Sequence, residues 1–134
     1  MTARSERLSQ YRAARARLLP RTSRRAFEAL VADALDELPA EVRARLDNVA
    51  IVVEDQPPHG APLLGLYEGI NRLERGSSYN MVAPDRITLY WRSIVDEVGN
   101  ADAAAIREEV RKTIVHEVAH HFGYDDAELE RLGG

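Results

Sequence analysis

Residues 113 to 126 read TIVHEVAHHFGYDD and contain the pattern HExxH at His116, Glu117 and His120, which Gly123 and Asp126 extend to HExxHxxGxxD. On an α-helix, residues four apart stand one turn above each other, so His116 and His120 present two imidazole nitrogens to one metal ion. Glu117 then falls beside the open coordination position as general base. Gly123 ends the helix, and the chain folds back to bring Asp126 in as third ligand. His121 lies about 100° around the helix from His120, which directs it to packing or to an outer shell of the site. Asp125 stands three residues before Glu128, the spacing of a capping box, so Asp125 is expected to cap a last short helix while Asp126 ligates.

The rest of the chain supplies a scaffold for that helix. Ala103, Ile106, Val110, Thr113 and Ile114 form an apolar stripe at helical spacing, with Asn100 or Asp102 as N-cap, and the two histidines fall along one edge of the stripe. Val115 and Phe122 point elsewhere, which predicts a helix covered on more than one side. Upstream, Ser23 offers an N-cap for an amphipathic helix carrying Phe27, Leu30, Val31, Ala34, Leu35 and Leu38, and Pro39 stops it. A short helical turn over 41–46 follows. Val49 to Val53 is a β-branched run that reads as a buried strand. QPPHGAP (56–62) is a loop, and its His59 is expected to be solvated rather than a ligand. LLGLYE (63–68) is a second strand, with Gly65 marking a bulge or a close approach. Residues 69–84 form a long connection, a candidate wall or lid over the site. Arg86 to Trp91 alternates Ile87, Leu89 and Trp91 against Arg86, Thr88 and Tyr90, the pattern of a half-buried strand. Ser93 is placed to cap a short helix that Gly99 ends.

Composition sets the outer limits. A chain of 134 residues fits one domain and buries roughly two thirds of its unfolded surface. Its 45% apolar and 30% charged residues suit a water-soluble globule, and no apolar run approaches the roughly 20 residues of a membrane span. There is no cysteine, so disulfides and thiolate metal sites are excluded, and a bound zinc must be held by nitrogen and oxygen. No apolar signal-peptide centre is visible, which leads to the expectation of a cytoplasmic protein. Net charge is −4, yet Met1 to Arg25 holds eight arginines against Glu6 alone. Residues 1–22 therefore read as a basic, flexible arm and 23–134 as the folded domain.

Two imidazoles and one carboxylate leave a four-coordinate Zn²⁺ one position for water and lower that water's pKa to about 7. Glu117 takes the proton and returns it to a leaving amine, so the predicted reaction is amide hydrolysis with one Zn²⁺ per chain. The motif resembles that of the zincin metallopeptidases in its metzincin-type form, HExxHxxGxxH/D. Together with LLGLYEG (63–69) and PDRITLY (84–90), HEVAHHFGYDD (116–126) is similar to a family of small bacterial zincin-like metallopeptidases. The resemblance runs from about Phe27 to Leu132. It implies an α+β domain in which a small mixed β-sheet packs against an N-terminal helix and the active-site helix. It also implies zinc at His116, His120 and Asp126, Glu117 as catalytic base, and a peptide or protein substrate. On that layout Arg86 to Trp91 is the edge strand along which an extended peptide pairs. The larger metzincins place a methionine turn after the motif, whereas eight residues follow Asp126 here and none is methionine.

Two other readings compete. The ending HHFGYDD also resembles a bacterial ribonuclease family that matures ribosomal RNA, with the pattern HGxxHxxGYDH, and the arginine-rich arm would suit a nucleic acid. That family has glycine where Glu117 stands and histidine where Asp126 stands, so the peptidase is preferred. The third reading is a metal-stabilised binding module without catalysis, for which Glu117 as a base would serve no purpose.

Overall fold

A computed structural model describes residues 22–69, 84–99 and 102–134. The arginine-rich segment to Arg21, the greater part of the 69–84 connection, and Asn100 lie outside the described residues. Among those described, five α-helices and three strands form an α+β fold. They are α1 (Arg24–Asp36), α2 (Ala40–Arg45), β1 (Val49–Glu54), β2 (Gly65–Glu68), β3 (Asp85–Tyr90), α3 (Trp91–Glu97), α4 (Ala103–Phe122) and α5 (Asp126–Arg131). None of these helices is long and apolar enough to cross a membrane.

Local chemistry sets most boundaries where expected. The Ser23 hydroxyl accepts from the Ala26 amide and starts α1, and the Asp102 carboxylate accepts from the Ala105 amide and starts α4. Asp125 and Glu128 complete a reciprocal capping box on α5. Gly123 ends α4 at φ 69°, a left-handed conformation that an L side chain would strain. The Ser93 cap is not used. α3 begins two residues earlier at Trp91, directly after the last strand, and Tyr90 at its N-cap position makes no side-chain capping bond.

The sheet is mixed, in the order β1-β3-β2, with β1 parallel and β2 antiparallel to β3. This corrects the sequence reading of two strands. β3 is central rather than an edge, and Ile87, Thr88, Leu89 and Tyr90 are all buried, so its alternation does not separate a wet face from a dry one. β1, expected to be buried, is an edge strand in which only Val53 is fully covered. Parallel pairing to β3 on one side leaves its other side at the rim.

α4 is the spine of the molecule. Ile106, Val110, Thr113, Ile114, Val115, Val118 and Ala119 are buried around most of its circumference, against α1, α2, α3 and α5 and the sheet. Phe27 of α1 meets Trp91 with ring centroids 6.5 Å apart. Ala103, placed on the apolar stripe by its spacing, is exposed, and burial along the stripe begins at Ile106. Outside α4, the largest fully buried side chains of the core are Phe27, Val42, Ile87, Leu89 and Ile94. Burying each such side chain contributes about 1.5–3 kcal/mol.

Candidate active site

His116 and His120 are exposed on the same side of α4, with ring centroids 6.3 Å apart. They line a cleft of about 350 Å³ together with Glu109, Lys112, Thr113 and Glu117 of the same helix. Pro62, Leu63, Leu64 and Gly65 form the opposite wall, as the chain enters β2. Glu109 and Lys112 were missed in the sequence. A signal was present, because Glu109 is seven residues before His116 and so two turns along the same face.

The cleft exists because β2 and α4 approach closely at one point and run side by side from there. A Cβ added at Gly65 would stand 2.9 Å from the Thr113 methyl and 3.1 Å from the Thr88 carbonyl oxygen. Gly65 is thus a close approach and not a bulge. Further along, the Tyr67 amide donates to Glu117 Oε1 at 2.9 Å, and the Tyr67 ring stacks on His121 with centroids 3.8 Å apart and 17° between planes. Thr113, Glu117 and His121 are four residues apart and form one column on the helix. Gly65, Tyr67 and Gly69 are two residues apart on the strand side. Four helical residues rise about 6.0 Å and two strand residues about 6.7 Å, so the column and the strand advance nearly in step. The two histidines occupy the neighbouring column, 116 and 120, which faces the cleft.

Ladder geometry explains why Tyr67 offers its amide to the helix. The Tyr90 amide donates to the Leu64 carbonyl at 2.9 Å, which makes 64 and 90 a bonded pair. The antiparallel alternation then bonds Leu66 with Thr88 and Glu68 with Arg86, and turns the main-chain groups of Gly65 and Tyr67 away from β3. Tyr67 is therefore beside the cleft. Tyr90 is buried in β3, where burial above all, and then the charge of Glu68, pushes its phenol above the usual tyrosine pKa. Tyr79 lies outside the described residues.

Asp126 is the first residue of α5 and is exposed, and it is not among the residues that line the cleft. Among the described residues no group of three histidine, aspartate or glutamate side chains stands close enough together to hold a metal ion. The structure places His116, Glu117 and His120 on one cleft, without Asp126. The turn that carries Asp126 is tied to α2. Arg45 Nε donates to the Tyr124 hydroxyl at 3.2 Å, and the Arg45 guanidinium lies 4.6 Å from the centroid of the Phe122 ring. Tyr124 has a packing role in this contact. His59 is exposed in a one-turn 3₁₀ helix, Pro58–Gly60, away from the cleft lining, as expected for a solvated loop residue.

The family model for zincin-like metallopeptidases matches residues 46–134, a span that contains the sheet, the cleft and α4. The chain belongs to the zincin-like metallopeptidase family. The match includes every residue of the HExxHxxGxxD pattern and leaves α1 and α2 outside it. No curated protein matches the chain. Among solved structures, a conserved hypothetical protein from T. thermophilus is similar at 26% identity, over 75% of this chain and 94% of its own, with a TM-score of 0.48.

Proposed function

We propose that this zincin-like protein hydrolyses peptide bonds with one bound Zn²⁺, held by His116 and His120 with Asp126 as third ligand, and with Glu117 as general base. The observation that carries this reading is the presence of both histidines and Glu117 on one wall of a cleft whose other wall leads into an edge strand. The donor set fits the metal in two positions, since both imidazoles are exposed on one side of the helix at four-residue spacing. Asp126 is assigned by its ten-residue offset from His116. Zinc bound there would supply a Lewis acid for the scissile carbonyl and acidify water to near neutral pH.

The chain's own groups account for the remaining tasks. Glu117 Oε1 is engaged by the Tyr67 amide, which leaves Oε2 to take a proton from water and deliver it to the leaving amine. β2 replaces Arg86 to Trp91 as the strand that an extended peptide would join, with Gly65 offering an outward N–H and C=O. Pro62, Leu63 and Leu64 offer an apolar wall to a substrate side chain. Glu117 in the cleft lining, where the ribonuclease pattern has glycine, supports a peptide over an RNA.

Metal analysis of the purified protein and of His116→Ala, run beside a peptide-library cleavage assay, tests the reading. One zinc per chain in the wild type, none in the variant, and cleavage only with metal are the expected results. Stoichiometric zinc without cleavage of any peptide would return the protein to a metal-stabilised module.

A further inference from the structure

Tyr67 touches the active-site helix twice, in two chemically different ways. Its main-chain N–H donates to Glu117 Oε1, and its ring lies flat on His121, one helical turn beyond Glu117. Phe122 closes the edge of this stack, 6.2 Å from the Tyr67 ring and 4.8 Å from His121, both nearly perpendicular. At the far end the Tyr67 hydroxyl donates to Asp85 Oδ2 at 2.9 Å, which anchors the ring to the first residue of the central strand. The ring is therefore fixed between β3 and α4. It sets how far β2 stands from the helix at the level of Glu117.

We propose that Tyr67 and His121 are positioning residues for Glu117: their stack holds the β2 main chain at the distance where the Tyr67 amide fixes the Glu117 carboxylate. This rests on the reading of Glu117 as general base. A carboxylate on a flexible two-methylene arm samples several rotamers at an exposed cleft, and proton transfer needs one of them. The amide bond selects that rotamer only while strand and helix keep their spacing. Gly65 has no side chain and Glu68 is turned towards Arg86, with which it pairs at 2.9 Å, so the Tyr67 ring is the β2 side chain that reaches the helix at this level. A misplacement of about 1 Å at a reacting group costs on the order of 10²-fold in rate, so the stack is expected to act on kcat. Neither side chain of the stack is among the residues that line the cleft, so the effect on KM should be smaller than that on kcat.

The test uses zinc-loaded full-length protein. Tyr67→Leu and His121→Ala should each lower kcat by about 10- to 100-fold, with a smaller change in KM and with zinc stoichiometry and the folded fraction unchanged. The double variant should be no worse than either single, because both remove the same stack. Tyr67→Phe and His121→Phe keep a ring at each position and should recover most of the rate. Amide hydrogen exchange gives a readout independent of turnover: His121→Ala should speed exchange at the Tyr67 amide by about tenfold and leave that of Leu89 in β3 unaltered. Full kcat in Tyr67→Leu, a loss confined to KM, or unchanged exchange at Tyr67 in His121→Ala would overturn the proposal. If the zinc-loaded wild type cleaves no peptide, the peptidase reading fails by itself, and the exchange measurement still decides whether the stack holds Glu117.

Discussion

The sheet has two edges, and each borders a groove against a helix. On one side β1 and α1 enclose about 250 Å³ lined by Glu28, Val31, Ala32, Leu35, Ile51 and Val53. On the other, the approach to β2 and α4 encloses about 350 Å³ lined by the two histidines, two glutamates, a lysine, a threonine and Pro62 to Gly65. Size and backbone setting are comparable, so neither explains a site. The β1 edge is closed by a cation, because Arg24 donates to the Val53 carbonyl and pairs with Glu28 and Asp55 at 3.3 and 3.6 Å. Such a charge on an edge strand discourages pairing with another chain. The β2 edge is met instead by an acceptor, Glu117, which takes a single amide and leaves Gly65 turned towards the cleft. A groove beside an open strand is thus common property of the fold. What separates the two is which side chains the helix presents at four-residue intervals.

Substitutions matched across the two edges can break this contrast. The largest expected effect is at the carboxylates: Glu117→Gln should retain zinc and lose about 10²- to 10⁴-fold in peptidase kcat, whereas Glu28→Gln in the β1 groove should change kcat less than about twofold. Equal losses in both, read in one steady-state assay, would show that the grooves are not functionally distinct. Next comes packing. Gly65→Val inserts a branched side chain where a Cβ alone meets Thr113 and Thr88 inside normal contact, and should cost about 1–3 kcal/mol in a denaturant titration. Ala50→Val on the half-exposed β1 should be neutral or mildly favourable, since β-branched residues suit a pleated surface. The smallest change is expected for Arg24→Ala. Its ion pairs are about half exposed, so stability should shift by no more than about 1 kcal/mol, while sedimentation should show more self-association through the uncovered β1 edge. A monomer at all concentrations would remove the protective role given to Arg24.

The comparison also shows which features were legible in the sequence. Caps are local, and Ser23, Asp102, Gly123 and the Asp125–Glu128 box lie where their residue types place them. The histidine pair and Glu117 are equally local, since helical spacing alone brings them to one side. Strand position is different in kind. Thr88 and Tyr90 look like the wet face of an edge strand, yet both are buried, because β1 and β2 flank β3 and the helices cover it, and no residue near β3 encodes that. The edge role passed to β2, only four residues long in the structure and short of apolar alternation. Glu109 was readable in principle from its seven-residue offset. The wall of Pro62 to Leu64 was not, because it meets the helix only after the chain has folded.

The near match between helix and strand has a consequence for how long such a cleft can be. Each step of four helical and two strand residues leaves a mismatch of about 0.7 Å, so three steps accumulate roughly 2 Å, enough to break a hydrogen bond that was good at the start. Insertions that preserve the alignment must come in pairs, two residues in the strand for four in the helix. A single inserted strand residue would turn the 67 amide inward towards β3 and hand Glu117 the neighbouring residue instead. The contact at Gly65 and Thr113 acts as the origin of this ruler, and Tyr67 sits one division from it, where the alignment is still close.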